Sequence, residues 1–585
     1  PASNWRPLGT LSWTMERAWA GPRVERADGS IHDPALPLYH GFNALLHGLV
    51  VLLLFPVAWR ILQDRRAAWL ACALFAVHPA HAEVVAPVVG RIDLLAALGA
   101  LATLECWCRY RDTEQPRWLA AAAAAFALGL GGKESAAPML VLLPLADRWL
   151  LGRPWSALRT RAVRAYLPIL GVALLYGVAR IGVLGGESLV HGQSETLGAL
   201  GRVGFAARNT LVSAWLVVLP VRFHHLITTL PSDAPFTYPQ PSAAMSLVWT
   251  ALALPIWFGW LPLARRAPRA AFCWAAALAH WLPTSGIVPV AAGVALRFLF
   301  LSTAYVACGA VLGGRALANA RPAWRRPVVG VAAVWAVAAA GLTLSRVPDW
   351  STNERFFRAV LAEVPDCYKA NYSVGAEIGL RGGDLVEARR YMQRAIDIAG
   401  DHPISVDARR NLAKTYEFPP GSAEQYGPGA DLDRALAVYE AALAIVSDSV
   451  PLHQDLGALH EQLAIRARAA AAAEQARHHT ERAVHHIGFM LGRDPEHWLA
   501  PKFHEFVAER QRSLGRIAEA RQHFHAGAAR AGARSVEQAR RGFPDRAEAD
   551  RQLAVRLLQS ALECAPPVDE ANAMRAEIQR LQGGR

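Results

Sequence analysis

Up to about Ser345 the chain alternates long apolar runs with short arginine-rich loops. From Arg346 onward apolar residues recur at helical spacing among charged ones. A bilayer span needs roughly 20 mainly apolar residues. The first part offers candidates near 38–59, 67–83, 92–108, 118–132, 135–147, 165–184, 203–220, 243–263, 270–284, 298–314 and 327–345. Several are short, as expected of helices packed inside a bundle. No later run is long enough. The pattern predicts an all-α protein, with a multi-span membrane domain over 1–345 and a soluble helical domain over 346–585.

The soluble half repeats. Small residues fall at tetratricopeptide-repeat (TPR) offsets: Ala376, Ala388 and Ala395; Ala435 and Ala442 around Tyr439; Ala483 with Met490 and Pro495; Ala508, Ala520 and Gly527 with Phe524; Ala554 and Ala561 with Pro566. A seven-residue step between small or apolar positions, followed five residues later by a helix-ending proline, marks stacked helix pairs. The second helix of each pair needs small side chains where it crosses the first. An irregular helical solenoid without true TPR geometry is the alternative. Two stretches, Phe418–Gly429 and the alanine-rich Arg466–Arg477, read as insertions.

Composition sharpens the picture. The hydrophobic fraction is 53%, charge only 19%, and net charge +13. The arginines cluster at the ends of apolar segments: Arg60, Arg65 and Arg66; Arg148, Arg153, Arg159, Arg161 and Arg164; Arg265, Arg266 and Arg269; Arg315, Arg321, Arg325 and Arg326. That is the positive-inside pattern, and no nucleic-acid recognition motif accompanies it, so nucleic acid is not expected as a partner. With the arginine loops cytoplasmic, residues 1–37, His78 to Asp93, Lys133–Glu134, Leu282–Ser285 and the repeat half lie outside. Parity asks for an even number of crossings between the basic loops at 148–164 and 264–269. Three segments lie there, so one, such as 203–220, crosses only in part. The seven cysteines show neither metal spacing nor a disulfide framework. The chain begins at Pro1 in what reads as a loop, and a preceding first helix and outer loop are expected upstream.

The stretch Phe75 to Leu95 carries the densest chemistry: His78, His81, Glu83, Arg91 and Asp93 sit at the outer end of an apolar helix. Ionisable groups at membrane depth are costly and commonly functional; a helix-end hydrogen-bond network is the bland alternative. His78, His81 and Glu83 fall close together but lack an evident fourth ligand, so no metal is assigned and a divalent metal stays a minor alternative. Lys133 and Glu134 form a second outward charge pair, with purely structural pairing as the competing reading. Arg180, beside Tyr176, and Arg297, before the aromatic run Phe298–Phe300, are candidates for gripping a phosphate, because guanidinium matches it bidentately. Interfacial snorkelling is the alternative for both. His224–His225 reads as a loop feature. Such an outward cluster suits a lipid phosphate whose sugar moves outside the cytoplasm: a carboxylate takes the acceptor proton and cations stabilise the departing phosphate.

These residues resemble the transmembrane and tetratricopeptide-repeat (TMTC) O-mannosyltransferases. His78-Pro79-Ala80-His81-Ala82-Glu83-Val84-Val85-Ala86, then Val88-Val89-Gly90-Arg91-Ile92-Asp93-Leu94-Leu95, looks like the family's HPxHxEAVA…VxGRADLL. Trp5-Arg6-Pro7-Leu8-Gly9-Thr10-Leu11-Ser12 is similar to YRPLTxLS, and His40 to His47 to HxxNxxLH. Gly132-Lys133-Glu134, Leu282-Pro283-Thr284-Ser285, Arg297 to Leu301 and the stretch Arg346 to Pro365 match further elements. The family's acidic pair, usually assigned the catalytic base, would precede Pro1. Leu296 stands where the family has glutamate, and Gly286 where it has asparagine.

The resemblance implies a polytopic GT-C-type helical bundle followed by a TPR α-solenoid, in a bacterial inner membrane with active site and repeats facing the periplasm. It implies a glycosyltransferase moving mannose or a similar hexose from a polyprenyl phosphate to Ser or Thr of exported proteins. The repeats would present the acceptor or bind a partner protein, and membrane lipid surrounds the bundle. On this reading Glu83, His78, His81 and Asp93 form the catalytic set, and Arg6, Arg91, Lys133, Arg180 and Arg297 hold the donor phosphate. A non-catalytic membrane-anchored TPR scaffold for envelope assembly is the alternative. A transporter is disfavoured because the membrane half shows no internal repeat.

Overall fold

The computed structural model describes residues 6–21, 24–25, 31–158, 162–184, 198–218, 242–287, 294–418 and 424–583. Trp5, Arg159, Arg161 and His224–His225 lie outside the described residues. Apart from a two-stranded hairpin, Val24–Glu25 against Ile31–His32, the described elements are helical, as expected. They form two compact units, Pro1–Ala370 and Asn371–Arg585. The first unit extends beyond residue 345: the helix Arg325–Arg346 runs on through a turn at Val347–Ser351, and Arg346 pairs with Asp349 at 3.7 Å and Glu363 at 3.1 Å.

In the first unit, α1 is Pro7–Ala20, α2 Leu36–Leu62, α3 Arg65–Ala76, α4 Ala82–Val85, α5 Arg91–Thr113, α6 Pro116–Gly132, α7 Met139–Trp149, α8 Ala162–Leu184 and α9 Ala199–Val218. Next come α10 Ala243–Phe258, α11 Trp260–Arg266, α12 Pro268–Trp281, α13 Phe300–Ala320, α14 Arg325–Arg346 and α15 Asn353–Glu363. Over their described residues the eleven expected apolar segments are mainly helical, the one at 67–83 being broken at Val77–His78. By length and composition five stretches could cross a bilayer: Leu36–Leu62, Arg164–Leu184, Ala243–Arg266, Leu296–Ala320 and Pro322–Ser351. A sixth appears if α3 and Pro79–Val85, bent by 52°, count together. Between the basic loops, α8 and α10–α11 meet this criterion and α9 does not.

The other helices are short or carry charge that is paired. At the far end of α5, Arg60 holds Glu105 at 2.7 Å. The fully buried Asp147 of α7 takes hydrogen bonds from Trp107, Arg111 and Tyr166 at 2.9–3.1 Å. α5 and α6 cross at Gly99 and Gly129, where a Cβ on Gly99 would lie 2.3 Å from the Gly129 Cα. Only glycine lets the two backbones come so close. Around this crossing Leu54, Leu94, Trp107, Phe126, Phe272 and Tyr305 form the core.

The second unit stacks antiparallel neighbours in chain order, the one-dimensional packing of a solenoid. α16 is Tyr368–Leu380, which enters it from the first unit; then follow α17 Leu385–Ala399, α18 Ser405–Tyr416, α19 Leu432–Ile445, α20 Val450–Ala469, α21 Ala473–Arg493, α22 Ala500–Ser513, α23 Ile517–Arg540, α24 Pro544–Glu563 and α25 Val568–Gly583. Ala388, Ala395, Ala435, Ala442, Ala483, Ala508, Ala520, Ala554 and Ala561 are fully buried, at the crossings their spacing predicts. The extra residues of Arg466–Arg477 are helical rather than looped out. Alanine favours helix, so both helices extend through the stretch and reverse in a tight turn with Ala471 at φ +56°.

Histidine pairs recur inside these hairpins. His460 of α20 meets His479 of α21, and His504 of α22 meets His523 of α23, each with Nδ1 atoms 3.0 Å apart. His453 and His486 approach at 2.9 Å, and the rings of His460 and His486 stack at 5.5 Å. Burial, reinforced by neighbouring imidazoles and by Arg482, pushes His460 and His486 down to about 3. Burial, with His523 and Arg530 adding, pushes His504 down to about 4, and burial lowers His479 and His523. An unfolded chain protonates these rings near pH 6.5, whereas the folded unit resists protonation until far lower pH. Stability is therefore full above about pH 6.5 and falls as pH drops toward the folded values. Amide exchange of α20–α23, corrected for intrinsic rates, is expected to show markedly less protection at pH 5 than at pH 7.5; equal protection would contradict this reading.

Candidate functional site

The apolar run entering the site is broken twice by proline. α3 stops at Ala76, and His78 caps the following turn Pro79–His81 by accepting the Ala80 N–H at its Nδ1, 3.2 Å away. After α4, Pro87 breaks the chain again before α5 starts at Arg91. Backbone groups freed at membrane depth need partners. Asn43 of α2 supplies one, its amide reaching the carbonyls of Val85 at 3.3 Å and Pro87 at 2.9 Å.

Two ion pairs come together at the ring of Phe298. The Glu83 carboxylate, 2% exposed, is bound by the Arg297 guanidinium at 2.6 Å and by the Arg297 backbone N–H at 3.2 Å. Asp93, in the first turn of α5, holds the Lys133 ammonium at 2.5 Å. Arg297 and Lys133 lie 5.2 and 5.5 Å from the Phe298 centroid. Asp93, Lys133, Ser135, His280, Thr284, Arg297 and Phe298 line a small cavity of about 20 Å³. Lys133 and Glu134 do not pair with each other. Glu134 is shared by Arg180 and by Arg6 at 3.5 Å, and Arg180 also reaches the Tyr176 hydroxyl at 3.3 Å. Two guanidinium groups on one half-exposed carboxylate leave a net positive charge, a setting suited to an anion.

Arg91 differs from expectation. It is fully buried, and its guanidinium donates to Asn43 at 3.0 Å, the Tyr39 carbonyl at 3.0 Å and Ser12 at 3.2 Å, with Glu16 paired at 2.9 Å. It ties α1 and α2 to α5, and its full burial among these partners keeps it from a donor phosphate. His78 is likewise committed: its Nδ1 accepts from Ala80, so its Nε2–H donates to the Val217 carbonyl at 3.0 Å. Both nitrogens are occupied, which makes His78 a positioning residue rather than a proton carrier. His81 Nε2 lies 2.9 Å from the Thr303 hydroxyl, whose own proton goes to the Phe300 carbonyl; the ring therefore donates, and its buried Nδ1 has no partner. Among the described residues no three His, Cys, Asp or Glu side chains converge as a metal site.

Sequence reasoning missed His280. Buried at the end of α12, it meets the Ser135 carbonyl at Nδ1, 3.1 Å away, and stacks on Tyr305 at 5.6 Å. A histidine closing an apolar helix was the available signal. Gly286 sits at φ +94°, a backbone region that glycine enters freely and asparagine more readily than most residues.

The architecture and site define a multi-pass membrane protein joined to a helical-repeat unit. Residues 40–179 match the family model for dolichyl-phosphate-mannose-protein mannosyltransferase. The Drosophila melanogaster protein O-mannosyl-transferase Tmtc2 is 30% identical over 37% of this chain and 22% of its own length. Mouse TMTC1 is 44% identical over 16% of this chain and 9% of its own. Over these residues the chain is similar to the TMTC O-mannosyl-transferases, and the matches span less than a quarter of these relatives' lengths. Among solved structures, a human IFIT1 dimer with m7Gppp-AAAA aligns over 84% of this chain and 91% of that one. At 12% identity and a TM-score of 0.24, the alignment is too loose to carry an argument.

Proposed function

We propose that the protein is a GT-C-type membrane glycosyltransferase that moves mannose or a similar hexose from a polyprenyl phosphate to Ser or Thr of exported proteins. It works in a bacterial inner membrane with the charged face and the repeats on the periplasmic side. The observation that carries this reading is the cluster of Arg6, Lys133, Arg180 and Arg297 gathered around Glu83, Asp93 and Glu134 at the ends of apolar helices. Fixed cations stabilise a departing phosphate because they need not reorganise as its charge develops. In this scheme Arg6 and Arg180 take the donor phosphate, while Glu83 and Asp93 hold Arg297 and Lys133 in place. Acceptor deprotonation falls to Glu134, the half-exposed carboxylate of the described cluster. The repeat unit binds the acceptor protein.

One observation favours the scaffold alternative: Glu83 and Asp93 are both buried and paired. Mapping O-linked hexose on exported proteins in cells with and without the gene separates the two. Hexose that disappears on deletion, returns with the gene and fails to return with Arg180→Ala supports the enzyme. An unchanged set of glycosylated residues supports the scaffold.

A further inference from the structure

A cavity of about 1140 Å³ lies among α7, α9, α10–α11, α12 and α13, and none of the residues of the charged cluster line it. It is larger than the roughly 300–1,000 Å³ typical of small-ligand pockets, and its walls are almost wholly apolar. It follows α12 from Arg269 to Trp281, a rise of about 18 Å at the helical 1.5 Å per residue. Such length and lining suit hydrocarbon chains.

One end is not apolar. Arg148, from the last turn of α7, and Arg269, from the first turn of α12, both line the cavity. Both are half-buried, and among the described residues neither guanidinium has an ion-pair or hydrogen-bond partner. They belong to the two arginine-rich loops that the positive-inside pattern places in the cytoplasm. Unpaired guanidinium groups half-buried beside an apolar cavity are costly unless an anion meets them. Basic pockets between membrane helices on the cytoplasmic side are known to take anionic lipid head groups.

We propose that this cavity is a binding site for an anionic diacyl phospholipid of the cytoplasmic leaflet. Its phosphate lies between Arg148 and Arg269 and its acyl chains run toward Trp281. The site is independent of the transferase reading.

The test is native mass spectrometry of the detergent-released protein titrated with phosphatidylglycerol, phosphatidylcholine or a polyprenyl phosphate. Phosphatidylglycerol is expected to bind in preference to both others. Arg148→Gln/Arg269→Gln is expected to weaken it roughly 30-fold, about fivefold per arginine. Arg265→Gln/Arg266→Gln, in the same loop but exposed and away from the cavity lining, is expected to leave binding unchanged. A third variant guards against a folding artefact. Gly313 lines the cavity, and a Cβ there would meet nothing within 4 Å, so Gly313→Phe adds bulk on the cavity side and should lower occupancy with both arginines intact. Equal retention of phosphatidylcholine, stronger binding of polyprenyl phosphate, or full occupancy in Gly313→Phe would overturn the proposal.

Discussion

Arg91→Met is expected to be the most damaging single substitution in the membrane unit, lowering its stability by about 3–5 kcal/mol, the usual cost of removing one partner from a buried ion pair. The side chain is fully buried, and methionine replaces its volume well enough that cavity formation adds little. What remains is a set of stranded acceptors: the Asn43 amide oxygen, the Tyr39 carbonyl, the Ser12 hydroxyl and the Glu16 carboxylate. Arg91→Lys should rescue poorly, since one ammonium cannot reproduce a planar fork reaching three directions. Thermal unfolding in detergent, followed by tryptophan fluorescence, measures this. A melting temperature within a degree or two of the parent would mean that Arg91 does not fasten α1 and α2 to α5.

The second large effect falls on activity. Arg297→Gln is expected to reduce sugar transfer about 10²–10³-fold, the range seen when one preorganised charge-stabilising donor is removed. The loss should appear in kcat more than in KM, because the phosphate's negative charge grows only as the bond to the sugar breaks. Glu83→Gln should lower the rate by a similar factor for a different reason: Glu83 is not placed to touch donor or acceptor, but without its charge Arg297 is no longer held. The stability readouts separate the two. Arg297→Gln leaves the Glu83 carboxylate buried without its cation and should destabilise, whereas Glu83→Gln/Arg297→Gln removes both charges and should recover much of the stability. The double variant should be no slower than either single one, as expected of residues acting as a unit. Multiplying losses in the double variant would show that the two act separately.

Local pattern carried much of the architecture. Runs of apolar residues mark helices because a helix satisfies its own backbone wherever it is buried, so the eleven segments were readable without knowing their neighbours. The alanine spacing in the second unit was readable for a related reason, since a helix crossing demands a small residue whatever lies opposite. The alanine-rich insertion was readable as extra residues, but composition alone did not say that they lengthen two helices around a turn at Ala471. Charge pairing was not readable. Lys133 and Glu134 are adjacent in the chain, yet their partners lie 40 and 46 residues away at Asp93 and Arg180. Arg91 sits in the densest motif and so invited a role in donor binding. The groups that occupy it, Asn43 and the Tyr39 carbonyl, come from 48 and 52 residues away. Motif position showed that these residues matter, and only their three-dimensional partners separate those that fasten helices from those that face a substrate.

The central claim is that the cation cluster at the ends of the apolar helices binds a lipid-linked sugar phosphate for transfer to protein. The most direct measurement is sugar transfer by the full-length protein in liposomes, supplied with polyprenyl-phosphate mannose and a Ser/Thr-rich exported protein, beside its Arg180→Ala variant. Mannose on Ser or Thr of the acceptor is expected from the parent, and loss of that product from a variant that still folds. No transfer from any polyprenyl-phosphate sugar, by a folded full-length protein that still binds acceptor through its repeats, would contradict it.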